Sequence, residues 1–381
     1  MSDVASTIPR ALPAGLARWL PKSVVALRTY SWTALRHDIV AGGTVGLVAL
    51  PLAIAFAIAS GLPPQAGIYC AVVTGFLISA LGGSNVQIGG PTGAFVVVVA
   101  GIVAAHGVIG LYICTMMAGV MLVALGLTRS GSAIRYIPRP VVNGFTAGIA
   151  VVIASTQLRD VFGLQLDKVP ASFLERILAI GRALPTLNPA AVAVGAATVL
   201  VIVATNRWWR AVPGIAAGLI ACTAATWLLA LPVETIGSRF GALPARLPIP
   251  HIPTFSLVTA VSLLGPALTV AMLGAIESLL SAVVADRLTG DRHEPNVELV
   301  AQGIANIVSP MFGGLPATGA IARTATNVRA GARTPVAGMI HAVVLLALLL
   351  FGARQWLFHL CGSVMFQAVM ISSAASAGIA R

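Results

Sequence analysis

Two short stretches of the sequence combine residue types that can hold a small anion. They are Pro91-Thr92-Gly93-Ala94 in the first half and Pro316-Ala317-Thr318-Gly319-Ala320 in the second. A glycine pair lies just before each stretch, and an apolar segment too short for a full membrane crossing follows it. Helix N-termini expose unpaired N–H groups and the positive end of the helix dipole, so they bind anions. The pattern predicts two half helices whose N-termini share one anion site.

The repeat itself suggests how the two half helices are arranged. An odd number of spans between the copies inverts one half relative to the other, and it aims both half-helix N-termini at the membrane midplane. Such an arrangement marks the substrate site of inverted-repeat transporters. The alternative is that both stretches are Pro/Gly kinks in ordinary spanning helices. The repeated text favours the half helices.

An isolated carboxylate supplies a second kind of chemistry. Glu277 is the one ionisable residue between Ser256 and Ala285, and a charge in mid-membrane costs about 2.5–3.5 kcal/mol. Ser281 follows one helical turn later on the same face. Together the two side chains can hold a sodium ion through oxygen ligands, or Glu277 can carry a proton. The alternative is a neutral, hydrogen-bonded Glu277 with a structural role.

One arginine lies close to the second predicted half helix. Arg323 is seven residues past Pro316, which is roughly 10 Å along a helix. Its side chain either extends to the cytoplasmic surface or supplies positive potential behind the anion site. His106 and His341 fall at apparent membrane ends without metal-ligand company. No nucleophile–base pair or phosphate loop is visible, so we expect neither an enzyme nor a metal site.

The composition places the chain in a lipid bilayer. Only 9% of its 381 residues are charged, against about 25% in soluble domains, and the mean hydropathy is +0.96. No Asp, Glu, Lys or Arg occurs from Ile39 to Thr128, a run long enough for four crossings of about 20 residues. Eleven or twelve apolar segments can be delimited, which predicts a polytopic membrane protein.

Charge position predicts the orientation. The net charge is +12, and the basic residues cluster in the first 37 residues and in loops that all come out on one side. This positive-inside pattern predicts a cytoplasmic N-terminus and a multi-pass inner (cell) membrane protein, and it argues against a nucleic-acid partner.

Longer runs of the sequence resemble the SulP family of anion transporters over roughly residues 36–352. The matching runs are His37 to Ala57, Gly67-Ile68-Tyr69, Gly89 to Ala94, Gly274 to Ser281 and Pro316 to Asn327.

The resemblance implies an all-α, seven-plus-seven inverted-repeat fold with a core and a gate. Its expected parts are a cytoplasmic segment 1–37, a transporter domain 38–352 and an atypical segment 353–381, without a STAS domain. Core spans are expected at about 39–128 and 257–328, and gate spans at about 140–231 and after 335. Because the family text fades after about Gly352, we expect an incomplete gate and poor transport by this chain alone.

The resemblance also implies a function and a site. It implies a secondary active transporter of sulfate-like or bicarbonate-like anions, with symport of H⁺ or Na⁺ and no other cofactor. The oligomeric state is open, with a homodimer among the candidates. The implied coupling residues are Glu277 and Ser281. The implied substrate site is formed by Phe56, Thr92, Gly93, Ala94, Phe95, Thr318, Gly319, Ala320, Ile321 and Arg323.

Two other functions remain open at this point. A nucleobase transporter of the same fold generally uses acidic side chains on both the eighth and tenth spans of the fold. Glu277 belongs to the segment that corresponds to the eighth span here, whereas the segment that corresponds to the tenth offers Arg323 and no acid. A truncated membrane protein without transport activity is the other alternative.

Overall fold

The computed structural model describes residues 19–131, 139–166, 172–209, 214–241, 243–254 and 257–352. Residues 1–18 of the expected N-terminal segment and the whole expected segment 353–381 therefore lie outside the described residues. The helices and strands, in chain order, are α1 Lys22–Arg28, α2 Trp32–Ala59, α3 Pro64–Leu81, β1 Gly89–Gly90, α4 Phe95–Leu127, α5 Arg139–Phe162, α6 Phe173–Ala183, α7 Pro189–Trp208, α8 Gly214–Leu228, α9 Ile236–Phe240, α10 Leu257–Ser262, α11 Leu264–Thr289, α12 Pro295–Val308, β2 Thr318–Gly319, α13 Ile321–Arg329 and α14 Val336–Ala347.

Several helices are long and apolar enough to cross a membrane. Among the described residues there are four, namely α2, α3, α4 and α11, and the bent pair formed by α6 and α7 would make a fifth. In the other predicted spans, α5 has 24 residues, whereas α8, α12, α13 and α14 are each shorter than 18 residues. The polytopic, all-α prediction is confirmed, with two extended segments at the repeat.

The long helix α4 is two predicted segments joined at a glycine. Gly107 has φ +69° and ψ −177° inside it, a conformation that side chains rarely tolerate. The kink separates a half helix, 95–106, from a longer segment, 108–127. Both segments were expected from the sequence, with a boundary within about two residues of Gly107.

Both half helices have the same relation to their threonine. Helix α4 begins at Phe95, three residues after Thr92, and α13 begins at Ile321, three residues after Thr318. Just before the helices, β1 and β2 pair antiparallel, with Gly89 opposite Gly319 and Gly90 opposite Thr318. The predicted meeting of two half helices is confirmed. The helices do not begin at the prolines, because the glycine pair Gly89–Gly90 forms a strand pair with Thr318–Gly319 before either helix starts.

The described helices pack in two groups. Helices α2, α3, α4, α11, α12, α13 and α14 surround the β1–β2 pair, and α7 packs mainly against α8, with α5 and α6 beside them. The first group contains helices of the expected core spans together with α14, and the second contains helices of the expected gate spans at 140–231. The division into core and gate stays a prediction. The expectation that spans after residue 335 belong to the gate does not hold for α14, which packs along α2 and α3. Gly42 and Gly338 allow this close approach, since a Cβ at either position would overlap a neighbouring helix.

Asp38 ties the start of α2 to the loop before α14. Its carboxylate is fully buried and accepts hydrogen bonds from Arg333 N (2.9 Å), Thr334 N (3.2 Å), the Thr334 hydroxyl and the Tyr30 hydroxyl (3.0 Å). Burial, and then the charge and hydrogen bond of Asp38, raise the pKa of Tyr30 to about 12. These hydrogen bonds form a clasp, which links the start of α2 to the loop before α14 on the predicted cytoplasmic side of the core.

The Asp38→Asn variant tests this clasp. In this variant an amide N–H₂ group replaces a carboxylate oxygen that accepted hydrogen bonds, so some of the donors lose their acceptor. We expect a loss of about 2–3 kcal/mol in stability, measured as a lower temperature of thermal unfolding. The pKa of Tyr30 should fall in an ultraviolet phenolate titration, with Tyr30→Phe identifying its signal. Glu175→Gln is the control, since Glu175 is an exposed acid on α6. Equal losses in the two variants would show that the hydrogen bonds of the buried Asp38 stabilise the fold no more than an exposed acid does.

Candidate anion site

The two strands fix where the half helices begin. Ala320 N donates to Ile88 O at 2.8 Å, which extends the strand pairing by one bond. Asn306 of α12 makes two 2.8 Å bonds to the backbone of Ala317, one in each direction. The Thr318 hydroxyl donates to Gly274 O on α11 at 3.0 Å. The backbone around Thr318 is thereby held to three elements, so its position does not depend on a ligand.

No side chain caps either half helix in the described part of the chain. Ala94 precedes α4 and Ala320 precedes α13, and neither can accept a bond from the first turn. The N–H groups of both first turns therefore lack the side-chain acceptor that helix starts commonly have. Only long turn bonds occur at α4, from Phe95 N to Thr92 O (3.3 Å) and from Val96 N to Gly93 O (3.2 Å). Two uncapped positive helix ends thus lie on either side of one strand pair.

The isolated carboxylate reaches this place from α11. The Thr92 hydroxyl donates to Glu277 Oε2 at 2.7 Å, and Glu277 is partly buried. Glu277 therefore lies beside the first half helix and does not face lipid. This contact joins a residue of the expected anion site to a residue of the expected coupling site.

Ser281 has a different partner from Glu277. Its hydroxyl lies 3.0 Å from that of Thr324 on α13, and the Thr324 oxygen also accepts from Ile88 N at 3.1 Å. Ser281 is fully buried beneath β2. The expectation that Glu277 and Ser281 point into one place differs from this geometry. Four residues of helix rotate the second side chain by about 40°, which is enough to turn it toward α13.

Arg323 does not extend to the cytoplasmic surface. It is 2% exposed, and its Nη2 donates to Pro91 O in the opposite half of the repeat. Its Nη1 has no hydrogen-bond partner among the described residues and faces Gly90. A guanidinium group from α13 therefore lies against the backbone that leads into α4, which brings a positive charge to the site.

The remaining predicted residues lie on α2, on β2, and at or just before the starts of α4 and α13. Gly93 and Ala94 lie between β1 and α4, Gly319 is the second residue of β2, and Ala320 lies between β2 and α13. Phe95 is 2% exposed and Phe56 of α2 is 8% exposed, in the packed clusters on either side of α4. Ile321 is half-buried at the start of α13.

Gly319 is a position where only hydrogen fits. A Cβ there would overlap the Gln87 amide and approach the Ser281 Cβ to 3.1 Å. We expect Gly319→Ala to lose about 2–3 kcal/mol in stability, because the buried Gln87 amide, which donates to Ser278 O, must move. Gly43→Ala in α2 is the matched control, since nothing lies within 4 Å of its Cβ position. That change should be neutral or stabilising by up to about 1 kcal/mol in thermal unfolding. Equal stability of the two variants would show that the Gln87 side chain moves aside at little cost.

Three polar residues near the site have no assigned role from sequence reasoning. Gln87 donates to Ser278 O (3.1 Å) and Asn327 to Val86 O (2.9 Å). Both are buried, and both leave their amide oxygens without a partner in the described residues. His341 was expected at a membrane end, but it is fully buried within the core. Its neighbours Ala337, Gly338 and Ala342 share its buried face, and they were the signal that could have revealed this placement.

Comparison with known proteins decides the family. A family model described as the sulfate permease family matches residues 35–376. The chain belongs to this family. The match extends past Gly352, where the resemblance was expected to fade, into residues outside the described ranges. Its members are membrane transporters, which agrees with the expectation that the chain is no enzyme.

Named members of the sulfate permease family match over most of this chain. YvdB of Bacillus subtilis (strain 168), a candidate sulfate transporter, is 44% identical over 84% of this chain and 61% of its own length. The bicarbonate transporter BicA of Picosynechococcus sp. is 32% identical over 84% of this chain and 58% of its own length. The chain thus spans about three fifths of the length of these relatives.

A solved structure of the family has the same fold. The transmembrane domain of a cyanobacterial bicarbonate transporter BicA superimposes with a TM-score of 0.77 at 29% identity. The superposition covers 92% of this chain and 98% of that one. The inverted-repeat prediction is confirmed by this agreement. Within the described residues, no group of three or more His, Cys, Asp or Glu side chains could hold a metal ion.

Proposed function

We propose that the chain forms the membrane domain of a secondary active transporter of small inorganic anions such as sulfate or bicarbonate. One observation carries the proposal. Two uncapped half-helix N-termini meet at a strand pair, and the buried Arg323 lies against that pair. The names of YvdB and BicA point to the same class of substrate.

The binding chemistry follows from the backbone. N–H groups at the starts of α4 and α13 donate to the oxygens of the anion, and both helix dipoles favour negative charge there. Arg323 adds a full positive charge in a region of low dielectric constant, where charge interactions are strong. Backbone donors accept any small oxyanion of suitable size, so this chemistry fits both sulfate and bicarbonate.

Glu277 supplies the coupling in this proposal. With Arg323 and an ionised Glu277, the site has no net charge, so it attracts an anion only weakly. When a proton or a sodium ion neutralises Glu277, the site gains one net positive charge and binds the anion more tightly. The 2.7 Å contact from Thr92 to Glu277 transmits this change directly to the start of α4. Cation and anion then bind together, which is symport.

The grouping of the helices supports alternating access. The site lies wholly within the core group, while α5–α8 pack mainly among themselves. Movement of the core against the gate would carry the anion from one side to the other. We infer a cytoplasmic N-terminus in the inner membrane from the positive-inside pattern.

Uptake into proteoliposomes tests the proposal. The full chain is reconstituted, and radiolabelled sulfate and bicarbonate are supplied separately, each with and without an inward gradient of Na⁺ or H⁺. We expect saturable uptake of at least one anion, stimulated by one of the two gradients and inhibited by competing oxyanions. Uptake of a labelled nucleobase with no anion uptake would favour the nucleobase alternative. Absence of all uptake and of anion-dependent thermal stabilisation would refute the proposal.

A further inference from the structure

His341 of α14 is a buried titratable group that the proposed mechanism does not use. It is fully buried, and neither ring nitrogen has a hydrogen-bond partner among the described residues. The Gly338 backbone, three residues earlier on the helix, is near the ring, but its geometry is too poor for a hydrogen bond. Buried polar groups in folded proteins are nearly always satisfied, so this imidazole needs a partner.

The ring lies beside the first strand of the site. A Cβ at Gly75 of α3 would be 3.1 Å from Cε1 and 3.2 Å from Nδ1 of His341, and 3.4 Å from Gly89 O. The histidine ring and the β1 carbonyl therefore border the same small space, which exists because residue 75 has no side chain. Every wall of that space belongs to the core.

An unpaired donor borders the next residue of the same strand. A Cβ at Gly90 would be 2.5 Å from Nη1 of Arg323, the guanidinium nitrogen that has no partner in the described residues. Arginine can only donate hydrogen bonds, whereas a neutral histidine both donates and accepts. The unpaired Nη1 donor of Arg323 thus borders Gly90, and the unpaired His341 ring borders the carbonyl of Gly89. The donor lacks an acceptor, and the neutral ring can supply one.

We propose that neutral His341 accepts a hydrogen bond, through one buried water, from Nη1 of Arg323. His341 is then a positioning residue that holds the guanidinium group behind the anion site. In this arrangement the water has three polar neighbours, namely Nη1, the ring and Gly89 O, which is the number that buried waters commonly use. A protonated ring could not accept this hydrogen bond and would place a second positive charge beside Arg323. The effect of His341 on transport rests on the proposed function, whereas the hydrogen bond to Arg323 does not depend on it.

A spectroscopic experiment tests the hydrogen bond without any transport. The full chain, labelled with nitrogen-15 histidine and reconstituted in lipid, is studied by solid-state NMR. The chain has six histidines, and His341→Gln identifies the signals of His341. We expect a neutral ring whose acceptor nitrogen changes its chemical shift in Arg323→Met. Arg323→Lys, which keeps the charge and removes Nη1, should give a similar change. An imidazolium signal, or a shift unaffected by both variants, would overturn the proposal.

A double-mutant cycle tests the positioning role. We expect His341→Leu to raise the KM for the anion about tenfold, as loss of one hydrogen bond to a charged group would do, with the maximal rate less affected. Either His341→Gln or His341→Asn, whose oxygens can accept, should restore KM to within about threefold. In an Arg323→Met background, His341→Leu should add nothing.

The two experiments separate this inference from the proposed function. Equal effects of His341→Leu in both backgrounds, or failure of both amide variants to restore KM, would show that His341 does not act through Arg323. If the chain shows neither anion uptake nor anion-dependent thermal stabilisation, the proposed function fails, while the nitrogen-15 result still decides whether His341 and Arg323 are paired.

Discussion

Arg323→Gln is expected to lower the uptake efficiency for the anion by about a hundredfold. The guanidinium group is 2% exposed and bonded to Pro91 O, so its removal takes away both a charge behind the anion and a link between the two halves. A buried hydrogen bond to a charged group contributes about 1.5–3 kcal/mol, which corresponds to roughly 10- to 150-fold in kcat/KM. Initial rates of labelled-anion uptake over a range of concentrations measure this effect.

Two further variants interpret that result. Arg323→Lys keeps the charge but cannot reach both Pro91 O and the neighbouring space, so we expect partial activity. Arg329→Gln is the matched control, because Arg329 is on the same helix and exposed. It should transport at close to the wild-type rate. Similar losses in Arg329→Gln and Arg323→Gln would show that transport depends on the total positive charge of the helix and not on the buried position of Arg323.

Glu277→Gln is expected to abolish accumulation against a gradient. The amide oxygen can still accept from the Thr92 hydroxyl, as Oε2 does at 2.7 Å, so the local geometry should survive. The variant no longer carries a charge for a proton or sodium ion to neutralise, so anion binding becomes independent of the cation. The ratio of internal to external anion should fall to about one, the value at equilibrium without coupling to an ion gradient.

The measurement needs two modes of transport from the same vesicles. Accumulation driven by a Na⁺ or H⁺ gradient should be lost, while exchange of labelled for unlabelled anion should continue. Glu175→Gln is the control, because Glu175 is exposed on α6, far from the site in sequence. Undiminished uphill uptake by Glu277→Gln would assign the carboxylate a structural role only.

Much of the site was predictable because local sequence encodes it. A repeated Pro-Thr-Gly-Ala text gave the half helices, and Thr92 and Thr318 each precede their helix by three residues. An isolated charge in an apolar run identified Glu277 and Arg323, since such residues are expensive in lipid and need partners. Those signals depend on spacing and composition alone, which one sequence contains in full.

Other features could not be read from spacing. Pro91 follows β1 and Pro316 precedes β2, so neither proline begins its helix. This arrangement arises because β1 finds its partner 228 to 230 residues later in the chain, with Gly90 opposite Thr318 and Gly89 opposite Gly319. Ser281 bonds to Thr324, not toward Glu277, because packing against α13 decides which neighbour a hydroxyl meets. No local rule ranks partners so far apart in the sequence.

The sequence by itself determined that this protein is a membrane-embedded inverted repeat with two half helices, an isolated acid and a nearby arginine. The tertiary structure decided that Arg323 crosses to the opposite half, that α14 packs within the core, and that His341 is buried beside β1. The physical reason is that periodicity and the cost of burying charge act along one segment. Close approach between segments depends on glycines such as Gly75 and Gly90, whose significance shows only once their neighbours are in place.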